Sequence, residues 1–443
     1  MKHVKQILQL NRFEGGAELD EQTRQLVQRR FAAFGKASVL FYEKPLEIVS
    51  ASGVHMYDAS GRQYLDLYNN VPCVGHCHPQ VAAAIGEQSA RLATNSRYLY
   101  RNLDDYAEAL LATYPGELSN LVMTCTGSEA NDIALRIACM HSGGTGIVVT
   151  STAYHGNTSA VMAVSPSSYR NGHALPAHVR SIPAPSAHDL PAGSDVGAAF
   201  AAALQAAIDD MTANGIRFAG LLVDTIFSSD GVFADPPGFL RPALEVAHKA
   251  GGLFIADEVQ PGFGRTGQGH WCFARHGIVP DVVTMGKPMG NGYPMAGLVT
   301  RPELLDAFVR ETGYFNTFGA NPVAAAAGHA VLRVLEQERL IDNAGRMGDY
   351  LRTGLHRLAG RDERIADVRG AGLFLGVELA GGEQWPDASL TARVINSMKD
   401  EGVLIGAAGA YGNVLKIRPP LCFSEADADF FLDALERVLA RAG

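Results

Sequence analysis

Short aliphatic runs recur through the middle of the chain, each followed by a stretch with apolar residues at helical spacing. The runs are Leu121–Cys125, Gly146–Thr150, Ala219–Val223, Gly252–Ala256, Asp281–Met285 and Met295–Thr300. Continuous rather than alternating apolar character marks strands buried on both faces. Helical patterns lie between them at Glu129–His141, Val196–Asn214 and Pro242–Ala250. Strand and helix in alternation predict an α/β fold with a mostly parallel central sheet. The flanks read differently. Residues 1–35 predict one or two surface or interface helices, and Ile48–Leu67 alternates apolar with polar around Ser52-Gly53 and Ser60-Gly61, the pattern of an antiparallel meander. Pro183–Gly193 is expected to be a loop, and Val323–Leu358 a long helical stretch. Segments Ile365–Leu379, Leu390–Glu401, Val414–Pro419 and Glu425–Arg441 then suggest a smaller α+β domain. The expected division is 1–75 for the N-terminal helices and meander packing with the small domain, 76–320 for the large domain, and 321–443 for the small C-terminal domain.

The candidate chemistry sits where strands end. Gly252–Ala256 runs into Asp257 and Glu258, and the next run delivers Lys287 between Gly286 and Pro288. Parallel strands bring their carboxyl ends to one crevice, so acid and lysine should meet. A lysine that can form a Schiff base and a carboxylate that can pair with a pyridine nitrogen suit pyridoxal 5'-phosphate (PLP). The plain alternative for Lys287 is a surface turn, which leaves the apolar run before it without a reason to end there.

Other strand ends add to this. Thr126-Gly127-Ser128-Glu129-Ala130-Asn131 opens a helix whose free N–H groups could hold a phosphate, although Ser128 could equally be no more than an N-cap. Tyr154-His155-Gly156 places an aromatic where it could stack on a ring. Asn321 could cap the helix that starts at Pro322. Lys416 and Arg418, two apart on an expected strand, would share one face as a substrate-anion clamp requires, or would form a solvated basic edge.

Several readings fall away. Gly262–Gly267 matches GxGxxG, but no helix start follows it, which excludes a dinucleotide fingerprint and disfavours a dehydrogenase. Cys73, His76, Cys77 and His78 lack zinc-site spacing, and no metal is expected. A net charge of -9 without charge blocks argues against nucleic acid or an anionic membrane. No apolar run reaches the roughly 20 residues of a membrane span, and the N-terminus lacks a signal-peptide core. Six cysteines in 443 residues make no disulfide framework, so a reducing cytosol is the expected compartment.

Taken together, GSEAND at 127–132, YHG at 154–156, DEVQPGFGRTG at 257–267, TMGKPMGNG at 284–292 and FNTFGANP at 315–322 resemble the class III (subgroup II) aminotransferases, PLP enzymes of fold type I. The resemblance runs from about Tyr42 to the C-terminus. Asn69-Asn70-Val71, Thr94–Arg97 and Leu415–Pro420 look most like the branch holding alanine–glyoxylate aminotransferase-like proteins and phospho-lyases of ethanolamine phosphate and phosphohydroxylysine. The resemblance implies Lys287 as Schiff-base lysine, Asp257 on the pyridine nitrogen, Gly127 and Ser128 at the phosphate, and Tyr154 and Val259 on the ring faces. It puts His155 in the cofactor site, Gln260 near the phenolic oxygen, and Asn70, Lys416 and Arg418 at the substrate. Thr317 would reach the cofactor phosphate of a second subunit, making a homodimer part of the site. Two positions depart from the family. Asp224–Gly231 stands where many members have a Glu-Pro-(Ile/Val)-Gln-Gly segment, and Lys416 where they have a carboxylate-binding arginine; Lys lacks bidentate recognition. The expected function is transfer of an amino group from an amine or amino acid to a 2-oxo acid such as pyruvate or glyoxylate. The alternative is a phospho-lyase, with Arg97 and Arg101 as further phosphate candidates. A catalytically silent protein of this fold is disfavoured because Lys287 and Asp257 are both present.

Overall fold

After helix α1 (Glu21–Phe34), strands β1 (Ile48–Ser52), β2 (His55–Asp58) and β3 (Gln63–Asp66) form the expected antiparallel meander. The structure is a computed structural model that describes residues 9–169, 174–381 and 386–441. Helices α2 (Pro79–Arg91) and α3 (Arg101–Leu111) lead into the large domain. There β4 (Asn120–Thr124), α4 (Gly127–Ser142), β5 (Gly146–Thr150), the short α5 (Ser159–Ala163), β6 (Val179–Ile182), α6 (Val196–Ala213), β7 (Phe218–Asp224), α7 (Arg241–Lys249), β8 (Leu253–Asp257), β9 (Val282–Met285) and β10 (Ala296–Thr300) follow in order.

Among the described residues the central sheet has seven strands, ordered β4-β10-β9-β8-β7-β5-β6. Strands β9, β8, β7, β5 and β6 pair in parallel; β10 runs antiparallel to both β4 and β9. Every residue of β5, β8, β9 and β10 is buried, which is why their sequence shows unbroken apolar character. Strand β6, Val-Arg-Ser-Ile, is an edge strand with Arg180 half-buried and Ser181 exposed, and too short a pattern to predict.

The C-terminal part holds α8 (Pro302–Glu311), α9 (Pro322–Gln337), α10 (Leu340–Ala359), β11 (Ile365–Ala371), β12 (Phe374–Leu379), α11 (Ala388–Asp400), β13 (Val403–Leu404), β14 (Gly406–Ala408), β15 (Val414–Ile417) and α12 (Glu425–Arg441). The expected single helical stretch from Val323 is two helices, broken where Arg339 takes a left-handed φ of 50°. Asn321 caps α9 by accepting from Val323 and Ala324 N–H, with Pro322 at the first position as anticipated. Strands β11, β12, β15 and β14 form one antiparallel sheet, while β13 joins the N-terminal meander alongside β3. The chain thus steps from one sheet to the other at Ile405, and this ties the first 75 residues to the last hundred or so. Leu67 N–H donates to Leu404 and Arg418 N–H donates to Leu67, which continues the tie. No helix among the described residues is long and apolar enough to cross a membrane.

Candidate active site

The register of the parallel strands aligns Asp224, Asp257 and Thr284 in one row across the carboxyl ends of β7, β8 and β9. Lys287 follows three residues on. Beside this row, α4 begins with a capping box in which Thr126 Oγ1 accepts from Glu129 N–H and Glu129 accepts from Thr126 N–H. The cap is therefore Thr126, two residues earlier than the alternative considered for Ser128. Gly127 and Ser128 become the first helical residues, whose N–H groups no intrahelical carbonyl can reach. They face a pocket of about 130 Å³ lined by Gly127, Ser128, Tyr154, His155, Gly156, Asp224, Asp257, Val259, Gln260 and Lys287.

Close packing of glycines shapes the pocket. A side chain on Gly127 would meet Val259 Cγ2 at 3.0 Å, and one on Gly156, where φ is +145°, would meet Ser128 Oγ at 2.4 Å. Ser128 Oγ bridges instead to Asn157. Asp257 has its carboxylate held from behind: Oδ2 lies 3.0 Å from Asn131 Nδ2 and 2.7 Å from His155 Nδ1, and Oδ1 accepts from Val259 N–H. Lys287 reaches into the open pocket, yet protein crowds its amine. Desolvation lowers its pKa below the lysine range, opposed by the nearby Asp257 charge and reinforced by Arg418.

Glu258, the next residue, points away into the core and is fully buried. It accepts from Thr225 Oγ1 and from the Cys272 and Phe273 N–H groups, and burial pushes its carboxyl up to about 7.

Lys416 and Arg418 are both buried, so the solvated-edge alternative does not hold. Arg418 stacks on Tyr68 at 4.9 Å and donates to Asn70 Oδ1 and Gln260 Oε1. Gln260 in turn donates to Ser228 Oγ, which donates to Asp224 Oδ2. Asp224 also accepts from the Ile226 and Ser228 N–H groups. Its oxygens are thus spent on its own turn, and Gln260 rather than an acid meets the arginine. The Lys416 amine lies 5.7 Å from the Phe374 ring centre and, among the described residues, makes no hydrogen bond or ion pair. Desolvation lowers its pKa well below the lysine range, and Arg418 and Lys287 add to the shift against the pull of Asp224 and Asp230.

Three residues named from the sequence, Thr317, Arg97 and Arg101, do not line this pocket. Thr317 is exposed on the 312–321 loop and does not line the pocket of its own chain. Arg97 stacks on Phe315 at 4.1 Å, and Arg101 starts α3 at the surface. His76 and His78 diverge, to Asp66 at 2.7 Å and to Glu338 at 2.9 Å. The GxGxxG glycines serve packing: a side chain on Gly267 would meet Gly345 Cα at 2.4 Å, and the enclosed Arg265 donates to Leu373 and Pro419 carbonyls. Asn131 is the residue that sequence reasoning missed. It read as a polar member of the first turn, and only the fold sets it behind Asp257.

The family profile described as "Aminotransferase class-III" matches residues 41–439. The chain belongs to the class III aminotransferases. It is 40% identical over 420 residues to "Alanine--glyoxylate aminotransferase 2-like" of Drosophila melanogaster, covering 92% of this chain and 85% of the relative. It is 36% identical over 436 residues to "Ethanolamine-phosphate phospho-lyase homolog 1" of Caenorhabditis elegans, with 94% and 93% covered. Among solved structures, a phospholyase from Arthrobacter in complex with phosphoethanolamine superimposes with a TM-score of 0.89 at 44% identity, over 94% of this chain and 99% of that one. This class III aminotransferase has the fold of the PLP-dependent transaminases, and PLP is its cofactor. The pocket fits that group. A helix N-terminus stands ready for a phosphate, an oriented carboxylate for a ring nitrogen, a lysine of lowered pKa for the aldehyde carbon, and a glycine-lined wall leaves room for the ring.

Proposed function

We propose that this enzyme moves an amino group from a small amine or amino acid to a 2-oxo acid of the pyruvate or glyoxylate type. The observation that carries the reading is the arrival of Asp257 and Lys287 from adjacent parallel strands at one pocket beside the start of α4. PLP, when bound, supplies an electron sink for the substrate carbon that bears the amine. Lys287 would hold the cofactor's aldehyde carbon until substrate takes its place. Its Nζ, kept below the usual lysine range, would then take the proton from the substrate carbon that bears the amine and return it on the cofactor side. Asp257 would stand on the ring nitrogen, Gly127 and Ser128 on the phosphate, and Tyr154 and Val259 on the two ring faces. A substrate carboxylate would meet Lys416 and displace Gln260 from Arg418.

Elimination of phosphate is the second reading, and Lys416 favours it. A buried amine with no hydrogen-bonded anion, beside the Arg418 guanidinium, would take up a proton as a substrate phosphate arrives and pair with it. Asp224 accepts its hydrogen bonds from its own turn rather than from that pair. Lys287 would remove the same proton, and phosphate would leave from the neighbouring carbon. The 44% identical phospholyase structure and the phospho-lyase relative support this reading.

A homodimer completes the proposal. Tyr98, Leu99 and Phe318 are 67%, 96% and 71% exposed, and the Arg97–Phe315 stack joins their two loops into one apolar patch. Thr317 lies on that patch, where a second copy would bring it to the partner's site.

Single-turnover spectra of the purified enzyme, mixed with amines including ethanolamine phosphate and no oxo acid, decide between the readings. Lasting loss of the cofactor's visible band, with an oxo product, establishes amino-group transfer and identifies the donor. Return of the band with release of phosphate and ammonia establishes elimination. No spectral change with any amine would remove both.

A further inference from the structure

Asn131 lies fully buried at the start of the second turn of α4, and its side chain meets three groups from three different elements. Nδ2 is 3.0 Å from Asp257 Oδ2 at the end of β8 and 2.8 Å from the His155 carbonyl. Oδ1 is 2.7 Å from Thr284 Oγ1 on β9, and Thr284 is itself fully buried. Only one orientation of the amide satisfies this set. Carboxylate and carbonyl oxygens accept only, so both must face the NH2; the hydroxyl has one proton and gives it to the amide oxygen. The reversed amide would set an oxygen against two oxygens. Thr284 therefore fixes Asn131, and Asn131 fixes Asp257.

We propose that Asn131, locked by Thr284, is the positioning residue that aims the Asp257 carboxylate at the cofactor ring. Helix α4 would then set both ends of the cofactor from one rigid element: phosphate through Gly127 and Ser128, ring nitrogen through Asn131 and Asp257. Thr284 also belongs to the strand that delivers Lys287, so the acid and the lysine are held in a common register. His155 occupies the other flank of Oδ2 but, with Nε2 buried and unpartnered, is itself tied to the fold through its backbone alone. It cannot replace the anchor that Asn131 supplies. The inference rests on the PLP reading above.

The test uses full-length enzyme as purified, with Asn131→Ala, Thr284→Val and the double variant. Two quantities are read: the rate of cofactor release into a scavenging apo-protein, and the pH midpoint of the visible band. A carboxylate free to turn from the ring nitrogen leaves less positive charge on the ring, so the nearby nitrogen of Lys287 holds its proton to higher pH. Asn131→Ala is expected to weaken cofactor retention by about tenfold and to raise the midpoint. Thr284→Val, close in shape, should move both in the same direction by less, and the double variant should match Asn131→Ala alone. Unchanged retention and midpoint in Asn131→Ala, with only a lower melting temperature, would reduce Asn131 to packing and overturn the proposal. Additive effects in the double variant would overturn the Thr284–Asn131 link. A wild-type enzyme with no visible band would instead overturn the PLP reading, and this inference with it.

Discussion

His155 Nδ1 lies 2.7 Å from Asp257 Oδ2, while its Nε2 is buried without a hydrogen-bond partner. A ring engaged at one nitrogen only has no path to pass a proton onward. It orients the carboxylate, and the Nδ1–H tautomer is the one that donates.

Replacing His155 with Phe keeps a ring in the space and removes that bond. A hydrogen bond to a charged group is worth roughly ten- to hundredfold in an equilibrium or rate, so kcat/KM should fall by about that factor. Thermal melting should change little. Steady-state kinetics beside a melt check both.

Lys416 is a buried amine that no acid or carbonyl accepts from. Lys416→Met keeps the length and apolar contact with Phe374 while removing a buried polar amine without a hydrogen-bond partner, so the fold should be as stable or more stable. Substrate anion binding should suffer: KM rises by about tenfold or more with kcat much less affected. A fall in kcat with KM unchanged would place Lys416 in the proton transfer instead.

Glu258 gives a prediction in pH. Its carboxyl is pushed from 4.5 up to about 7 by burial, so the folded chain keeps a proton that the unfolded chain releases. The contribution to stability is full below about pH 4.5, declines as pH rises, and levels off above about 7. At about 1.4 kcal/mol per pH unit the total is about 3 kcal/mol. Denaturant unfolding of the wild type and Glu258→Gln at several pH values should show the wild type losing that amount relative to the variant. Parallel curves would contradict the assignment.

Subunit exchange tests Thr317. In a mixed dimer of Lys287→Ala with Thr317→Ala, a threonine acting across the interface leaves one site with both native residues. Such hybrids should recover about half the wild-type activity per dimer. A threonine acting within its own chain leaves no intact site, and activity stays at the level of the parents.

Much of this was readable from sequence, for reasons that show where the reading stopped. Strands β5, β8 and β9 are buried on both faces, so their runs are continuous, and Asp257 and Lys287 were placed because parallel strands end together. The Asn321-Pro322 start of α9 was legible because a cap is local. The break at Arg339 was not, since the apolar spacing continues across it while one residue turns left-handed. Thr126 took the cap from Ser128 because Glu129 reaches back to it, a reciprocal bond that spacing alone leaves open. Pairings distant in the chain were beyond reach. Asn131 with Asp257 and Arg418 with Gln260 are side-chain contacts between segments 126 and 158 residues apart, and no local pattern encodes them. Asp224 read only as the start of a segment departing from the family pattern, and the turn that consumes its oxygens came into view with the fold.

The most direct test asks which amine holds the cofactor, because the pocket region contains two lysines whose pKa is lowered, Lys287 and Lys416. Borohydride reduction of the purified enzyme, followed by peptide mass mapping, fixes the cofactor to the nitrogen that carries it. A visible band before reduction and a single cofactor-bearing peptide, modified at Lys287, are the expected result. Modification at Lys416, or no modified peptide at all, would contradict it.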